Sequence, residues 1–157
     1  CSIALAADVV IAAESASFVL AQQRVGLMAD GGATATVAAA VGRIRAMRMA
    51  LLGEHLSAVE AYDAGLVTQV VADTEFTAAV GRIVDRLQAG PALVYAATKR
   101  AINAATLGDL EDTLDRERTS HSILLGSEDV AEGTRALAER RQPRFGIDGV
   151  PTPRWAE

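Results

Sequence analysis

The chain carries one cysteine and two histidines in 157 residues. The lone Cys1 leaves no internal disulfide, which agrees with a reducing cytoplasm as the expected location. His55 and His121 lie far apart with no cysteine beside either, so a zinc site has no support and no metal is expected. Positive charge is also short: 15 Lys and Arg against 20 Asp and Glu give a formal charge of −5 and a pI near 5.1. Binding to phosphate backbones requires clustered positive charge, so the balance argues against a nucleic-acid partner. No apolar run reaches membrane-spanning length, since C-S-I-A-L-A-A-D-V-V-I-A-A is broken at Asp8 and stops at Glu14. No charged segment precedes that run, so it is not read as a signal peptide. An initiator methionine is missing too, and the chain opens inside an apolar stretch, as expected for the later part of a longer protein.

What remains is ample for a globular α/β protein. Half of the residues are hydrophobic, 50%, and a chain of this length is about one domain with a real core. V-V-I-A-A at 9–13 and S-F-V-L at 17–20 predict two short strands with a turn at Glu14-Ser15. Helical patterning then covers 33–41 and 44–52, punctuated by Gly42 and stopped by Gly53. Ser57 and Glu60 form a capping box for a short helix that Gly65 ends, and L-V-T-Q-V-V at 66–71 predicts a strand. Four further helices are expected over 75–88, 91–105, 110–125 and 127–140; in the first, Phe76, Val80, Ile83 and Leu87 make a stripe expected to be core. The Pro- and Gly-rich residues after Arg141 predict an irregular tail.

The segment Phe18 to Gly32, F-V-L-A-Q-Q-R-V-G-L-M-A-D-G-G, concentrates the candidate chemistry. Asp30 follows Leu27, Met28 and Ala29, so partial desolvation is expected, and a desolvated carboxylate is a better proton acceptor near neutral pH. Gly31-Gly32 would let backbone approach a ligand closely and open a helix. Asp30 equally fits an N-cap for that helix, and local pattern alone favours the cap. Asp8 is expected to satisfy backbone groups within the fold.

Four motifs in order resemble the crotonase superfamily, the enoyl-CoA hydratase/isomerase group: C-S-I-A-L-A-A-D-V-V-I-A-A-E-S-A-S-F, V-G-L-M-A-D-G-G, L-L-G-E-H-L-S-A-V-E-A-Y-D-A-G-L-V and E-G-T-R-A-L-A-E-R-R-Q-P-R-F. The resemblance is to the C-terminal portion of such a protein. It implies the last part of a ββα spiral over residues 1–72, a helical oligomerisation region over 73–141 and a tail over 142–157. It also implies homotrimers or hexamers, an acyl-CoA thioester as substrate and no cofactor.

Hydratases of the group resemble one another in two site glutamates, and this chain has Ser2 and Gln22 in those places. Neither can act as a general base, and hydration needs both water activation and protonation of the α carbon, so hydration is disfavoured. Asp30 falls where phenylacetate-pathway and dienoyl-CoA isomerases carry a catalytic aspartate; the dienoyl type pairs it with a glutamate at the place of Gln22. The resemblance therefore implies a single-base 1,3-proton shift with Asp30 as the base, and with Ser2, Gln22 and Gly31 lining the pocket. Arg140, Arg141 and Phe145 resemble the segment that lies near bound CoA or across a subunit boundary; a solvated basic helix end is the plain alternative. The two backbone N–H groups that hold the thioester enolate in this family would precede Cys1, so residues 1–157 alone are expected to be inactive. A non-catalytic subunit and a hydratase with a degenerate site are the competing expectations.

Overall fold

Apolar runs of a few residues, each closed by a turn, can build only short strands, and a glycine at each end of the next apolar stretches limits them to short helices. The computed structural model describes residues 1–146. Its elements run α1 (Ser2–Leu5), β1 (Ile11–Ala13), β2 (Ser17–Phe18), a 3-10 turn (Gln22–Val25), α2 (Ala33–Val41), α3 (Arg43–Leu52), β3 (Leu56–Ser57), α4 (Ala58–Asp63) and β4 (Gln69–Val71). A second 3-10 turn (Asp73–Glu75) leads into α5 (Phe76–Gln88), α6 (Ala92–Thr106), α7 (Leu110–Leu124) and α8 (Glu128–Ala138). The described residues are thus mixed α and β up to β4 and helical beyond it, as the patterning predicts. Of the predicted tail, 147–157 lie outside the described residues. No helix among the described residues is long and apolar enough to cross a membrane.

The two early strands join different partners. β1 pairs in parallel with β4, Ile11 opposite Gln69 and Ala13 opposite Val71, and Thr68 extends the ladder by donating its N–H to the Val10 carbonyl at 2.7 Å. β2 pairs antiparallel with β3, Ser17 opposite Ser57. Ser57 both ends β3 and caps α4: its Oγ accepts from the Glu60 N–H at 3.3 Å while Glu60 accepts the Ser57 N–H at 2.8 Å, the predicted capping box. These bonds to Ser57 hold the Glu60 carboxyl below its usual range.

The core lies where α2, α3 and α4 meet the two small sheets, with Ala33, Val37, Met49, Ala58 and Ala61 fully enclosed and Leu20 and Leu56 beside them. The later helices depart from expectation. The α5 stripe is only partly core: Phe76 and Leu87 are exposed, Val80 and Ile83 half-buried, and Ala79 is the residue that is fully covered. The helix packs on β1, and among the described residues the contact covers Ala79 and leaves most of the stripe open. On α6 no residue is buried, and Leu93, Val94 and Ile102 face outward. Among the described residues Asp8 bonds no backbone group; it forms an exposed ion pair with Lys99 at 2.6 Å, of a kind that adds little stability.

Two contacts tie the helical half to the site-bearing half, and a third secures the end of the helical half on itself. First, α8 crosses the 3-10 turn at backbone-to-backbone distance, because a Cβ on Gly133 would stand 2.6 Å from the Val25 Cα and one on Gly26 would stand 2.8 Å from the Asp129 carbonyl carbon. Second, α2 begins on Gly31 and Gly32 in left-handed conformations, φ 67° and 78°, and has no side-chain cap of its own. Glu117 of α7 supplies one: its carboxylate accepts the Gly32 N–H at 2.8 Å, the Thr34 hydroxyl at 2.6 Å and the Thr34 N–H at 3.3 Å. At 3% exposure this is a buried charge, and three donors at the positive end of a helix offset its desolvation. Third, Arg141 folds back on α8, bonding Glu132 at 2.6 and 2.9 Å and Glu139 at 2.6 Å, while the Arg144 N–H meets Glu132 at 2.9 Å. The Arg141 guanidinium, then the Arg144 N–H, pull the Glu132 carboxyl down to about 2, and Glu132 raises the Arg141 pKa in return.

Each tie generates an expected outcome. Gly133→Ala forces Val25 backbone to move and is expected to cost about 1–3 kcal/mol, whereas Gly81→Ala on α5, where a Cβ meets nothing within 4 Å, is expected to gain up to about 1 kcal/mol; urea unfolding of the two variants measures both. Glu117→Ala strands the α2 donors and is expected to cost about 2–4 kcal/mol by the same measurement. Glu132 is ionised at lower pH folded than unfolded, so its contribution is complete above an unfolded carboxyl value near 4.5 and fades as pH falls towards 2. The protection factor of the Arg144 amide is therefore expected to drop between pH 5 and pH 2, as read by hydrogen exchange.

Candidate active site

The Gly26 turn, φ 75°, closes the 3-10 turn and lets L-M-A-D run back past it, so that Asp30 returns alongside Gln22. Gln22 Nε2 donates to Asp30 Oδ1 at 3.2 Å. A carboxylate accepts only, so the amide nitrogen must be the atom that faces it. The other carboxylate oxygen, Oδ2, stands 3.7 Å from His121 Nε2 on α7. That span is too long for a hydrogen bond and short enough for charge attraction when the ring is protonated. Asp30 and Gln22 thus meet a third polar group from the far end of the chain.

Two expectations for Asp30 change. Its side chain does not cap α2: Glu117 occupies that role, and Asp30 contributes to the turn only through its carbonyl, which accepts the Ala33 N–H at 3.3 Å. Nor is it desolvated by its apolar neighbours; the side chain is 51% exposed, because Ala29 turns into the core and Asp30, the next residue, points the other way. Freed from capping, the carboxylate has an open side on which a ligand can be met.

Ser2 lies at the same place. Its Cβ is 3.4 Å from where a Cβ on Gly31 would stand, so α1 rests against the glycine turn and a larger residue at position 31 would press on it. Ser2, Gln22, Asp30 and Gly31 are therefore brought together. Arg141 is not brought to them: at the exposed end of the helix its guanidinium pairs with Glu132 and Glu139. Arg140 follows α8 in a left-handed conformation, φ 54°, and Phe145 is partly exposed; neither has a hydrogen bond to the Asp30 group among the described residues. No cluster of three metal-ligating side chains occurs among the described residues.

Sequence reasoning missed Glu117 and His121. They stand four apart on α7, hence on one face, and that spacing was the available signal. It was masked because α7 is charged all along its length, with Asp112, Asp115, Arg116 and Arg118 about them, which reads as a solvated surface.

Comparison with known proteins gives this geometry its relatives. Residues 1–147 match the family model described as enoyl-CoA hydratase/isomerase. The chain is 38% identical over 144 residues to the 1,2-epoxyphenylacetyl-CoA isomerase of Escherichia coli K12, covering 92% of this chain and 55% of that protein. It is 41% identical over 144 residues to the "Probable enoyl-CoA hydratase" of Rhodobacter capsulatus, covering 92% of this chain and 56% of that one. Among solved structures it superposes with a TM-score of 0.89 on an enoyl-CoA hydratase from Mycobacterium avium subsp. paratuberculosis K-10, at 57% identity, over 92% of this chain and 58% of that chain. The chain spans about half the length of the curated relatives it matches, and it is their crotonase-type α/β fold that its strands and helices reproduce in part. Matched over nearly all of its length in sequence and over the same span in structure, the chain belongs to the enoyl-CoA hydratase/isomerase family.

Proposed function

We propose that the protein, completed to the length of its relatives, moves a double bond within an acyl-CoA thioester, with Asp30 as the single base. The observation that carries this reading is that Asp30, held on one oxygen by Gln22 and half exposed, has an amide at position 22 and a serine at position 2, the two places where the resemblance puts the hydratase glutamates. Asp30 removes the α proton of a 3-enoyl-CoA; the C–H electron pair moves towards the thioester carbonyl, whose oxygen becomes an enolate oxygen. The same carboxyl then returns its proton at the γ carbon, and the double bond is left between the α and β carbons. One carboxylate suffices for that cycle, and no cofactor enters it. Stabilising the enolate oxygen lowers the barrier of such chemistry more than any other single effect, and it falls to backbone N–H groups that the resemblance assigns to the segment before Cys1.

The 38% identity to an isomerase acting on a phenylacetyl-derived thioester supports this reading, and a ring-derived acyl group is a further substrate to test. Hydration is the second reading, supported by the name of the solved structure at 57% identity. It lacks a base to activate water at positions 2 and 22. Among the described residues Arg140 has no ion pair, so it is the arginine we assign to the CoA phosphates, with Phe145 beside that path; Arg141 is already held. The outward apolar residues of α6, Leu93, Val94 and Ile102, support self-association as a homotrimer or a pair of trimers.

The test is turnover of the complete protein on a 3-enoyl-CoA and, separately, on a 2-enoyl-CoA with water as co-substrate. Isomerisation is expected to dominate, and Asp30→Asn, which keeps the shape and the Gln22 contact, is expected to lower kcat by about 10²- to 10⁴-fold. Unchanged turnover by the Asn variant removes Asp30 from the mechanism, and hydration by the parent without isomerisation selects the second reading.

A further inference from the structure

The isomerase reading uses Asp30 and Gln22 but leaves His121 without a task. Its Nε2 is buried, the side chain is 16% exposed, and no hydrogen-bond partner reaches that nitrogen among the described residues. Its near neighbour is Asp30 Oδ2, 3.7 Å away. Asp30 Oδ2 can only accept, so a bond between the two requires the ring form with the proton on Nε2, which the neutral ring as well as the charged one can supply. A buried donor aimed at the open oxygen of the base, and short of contact by less than an ångström, is the arrangement of a catalytic hydrogen bond that tightens once substrate fills the site.

The surrounding charges leave His121 free for this. Glu117, one turn earlier on α7, is spent on Gly32 and Thr34. Arg118 is exposed and paired with Asp115 at 3.1 Å. Helix α2, which packs on α7, carries no titratable side chain, and α1 carries none either. On the 3-10 turn, Arg24 is engaged with His55 at 2.9 Å. Among the described residues Asp30 is therefore the charged group that His121 meets.

We propose that His121 is the positioning residue of the base: with Gln22 on Oδ1 and the His121 Nε2–H on Oδ2, the Asp30 carboxyl is pinned from two elements and keeps one orientation between the α and γ carbons of the substrate. The proposal rests on the reading of Asp30 as the base. It also gives a reason for α7 to carry two functional side chains one turn apart, since Glu117 fixes where the Gly31-Gly32 turn sits and His121 fixes how the preceding carboxylate is turned.

The experiment uses the complete protein. His121→Phe removes the donor while filling the space, and His121→Gln places an amide N–H near the same point. The Phe variant is expected to lose about 10- to 100-fold in kcat with KM within about twofold, the Gln variant to stay within about fivefold of the parent, and both to melt cooperatively. In the Asp30→Asn background the Phe substitution is expected to cost nothing further, because His121 acts only through Asp30. A readout independent of turnover is the ring nitrogen signal of His121 in NMR, distinguished from that of His55 by a His55→Gln variant. It is expected to move when Asp30 becomes Asn.

Parental kcat in the Phe variant, equal losses in Phe and Gln, or a ring signal indifferent to Asp30→Asn each overturns the proposal. So does a further loss from the Phe substitution in the Asn background, which would mean that His121 acts on its own. If the complete parent turns over neither enoyl-CoA, the reading of Asp30 as a base fails, and the ring signal alone decides whether His121 holds Asp30.

Discussion

A helix that starts on two successive left-handed glycines cannot cap itself, and the rest of the site follows from how that deficit is met. Neither Gly31 nor Gly32 has a side chain to offer, and Asp30 points away. The donors at the start of α2 are satisfied by a buried carboxylate that arrives 85 residues later, on α7. Leaving those N–H groups bare, or leaving Glu117 without them, would cost more than a typical surface interaction supplies, so the two helices are obliged to meet at this point. Because α7 must meet α2 there, its next turn delivers His121 to Asp30. Capping and site assembly are one event.

The second constraint is distance of approach rather than charge. Gly133 and Gly26 allow α8 to lie on the 3-10 turn closer than any residue with a Cβ would permit, and Gln22 sits at the first position of that turn. Thus two helices from the last third of the described chain, α7 by a carboxylate and α8 by bare backbone, frame the segment between Gln22 and Gly32 from different sides. The base is carried by a loop, but its setting is that of packed helices, which is what orientation of a proton-transfer group requires.

Local signals in the sequence were legible and distant ones were not. Ser57 and Glu60 are three residues apart and their capping box appears as expected, as do the helices interrupted at Gly42 and Gly53. The partner of β1 could not be read, because parallel pairing with β4 depends on everything folded between them. The same blindness produced the error at Asp30: by local pattern an aspartate ahead of G-G-A-T is a cap, and only the arrival of Glu117 shows the position already filled. The α5 stripe failed differently. Its period is helical and correct, yet periodicity tells which residues share a face and not whether a second layer exists to cover it. The resemblance to the family located Asp30, Gln22 and Ser2 together; it offered nothing on His121, whose relevance is a matter of side-chain geometry in this chain.

The parallel pairing of β1 with β4 has a consequence for how the segment bearing the site is held. Joining residues 11–13 to 69–71 closes a loop that holds every part of the first-half site except Ser2. Loop closure of that span is entropically costly but grows slowly with length, about 0.6 kcal/mol per doubling, and the packing of α2, α3 and α4 within the loop shares that cost with the three-residue ladder. The turn bearing Asp30 thus lies within a segment of chain whose two ends are held side by side.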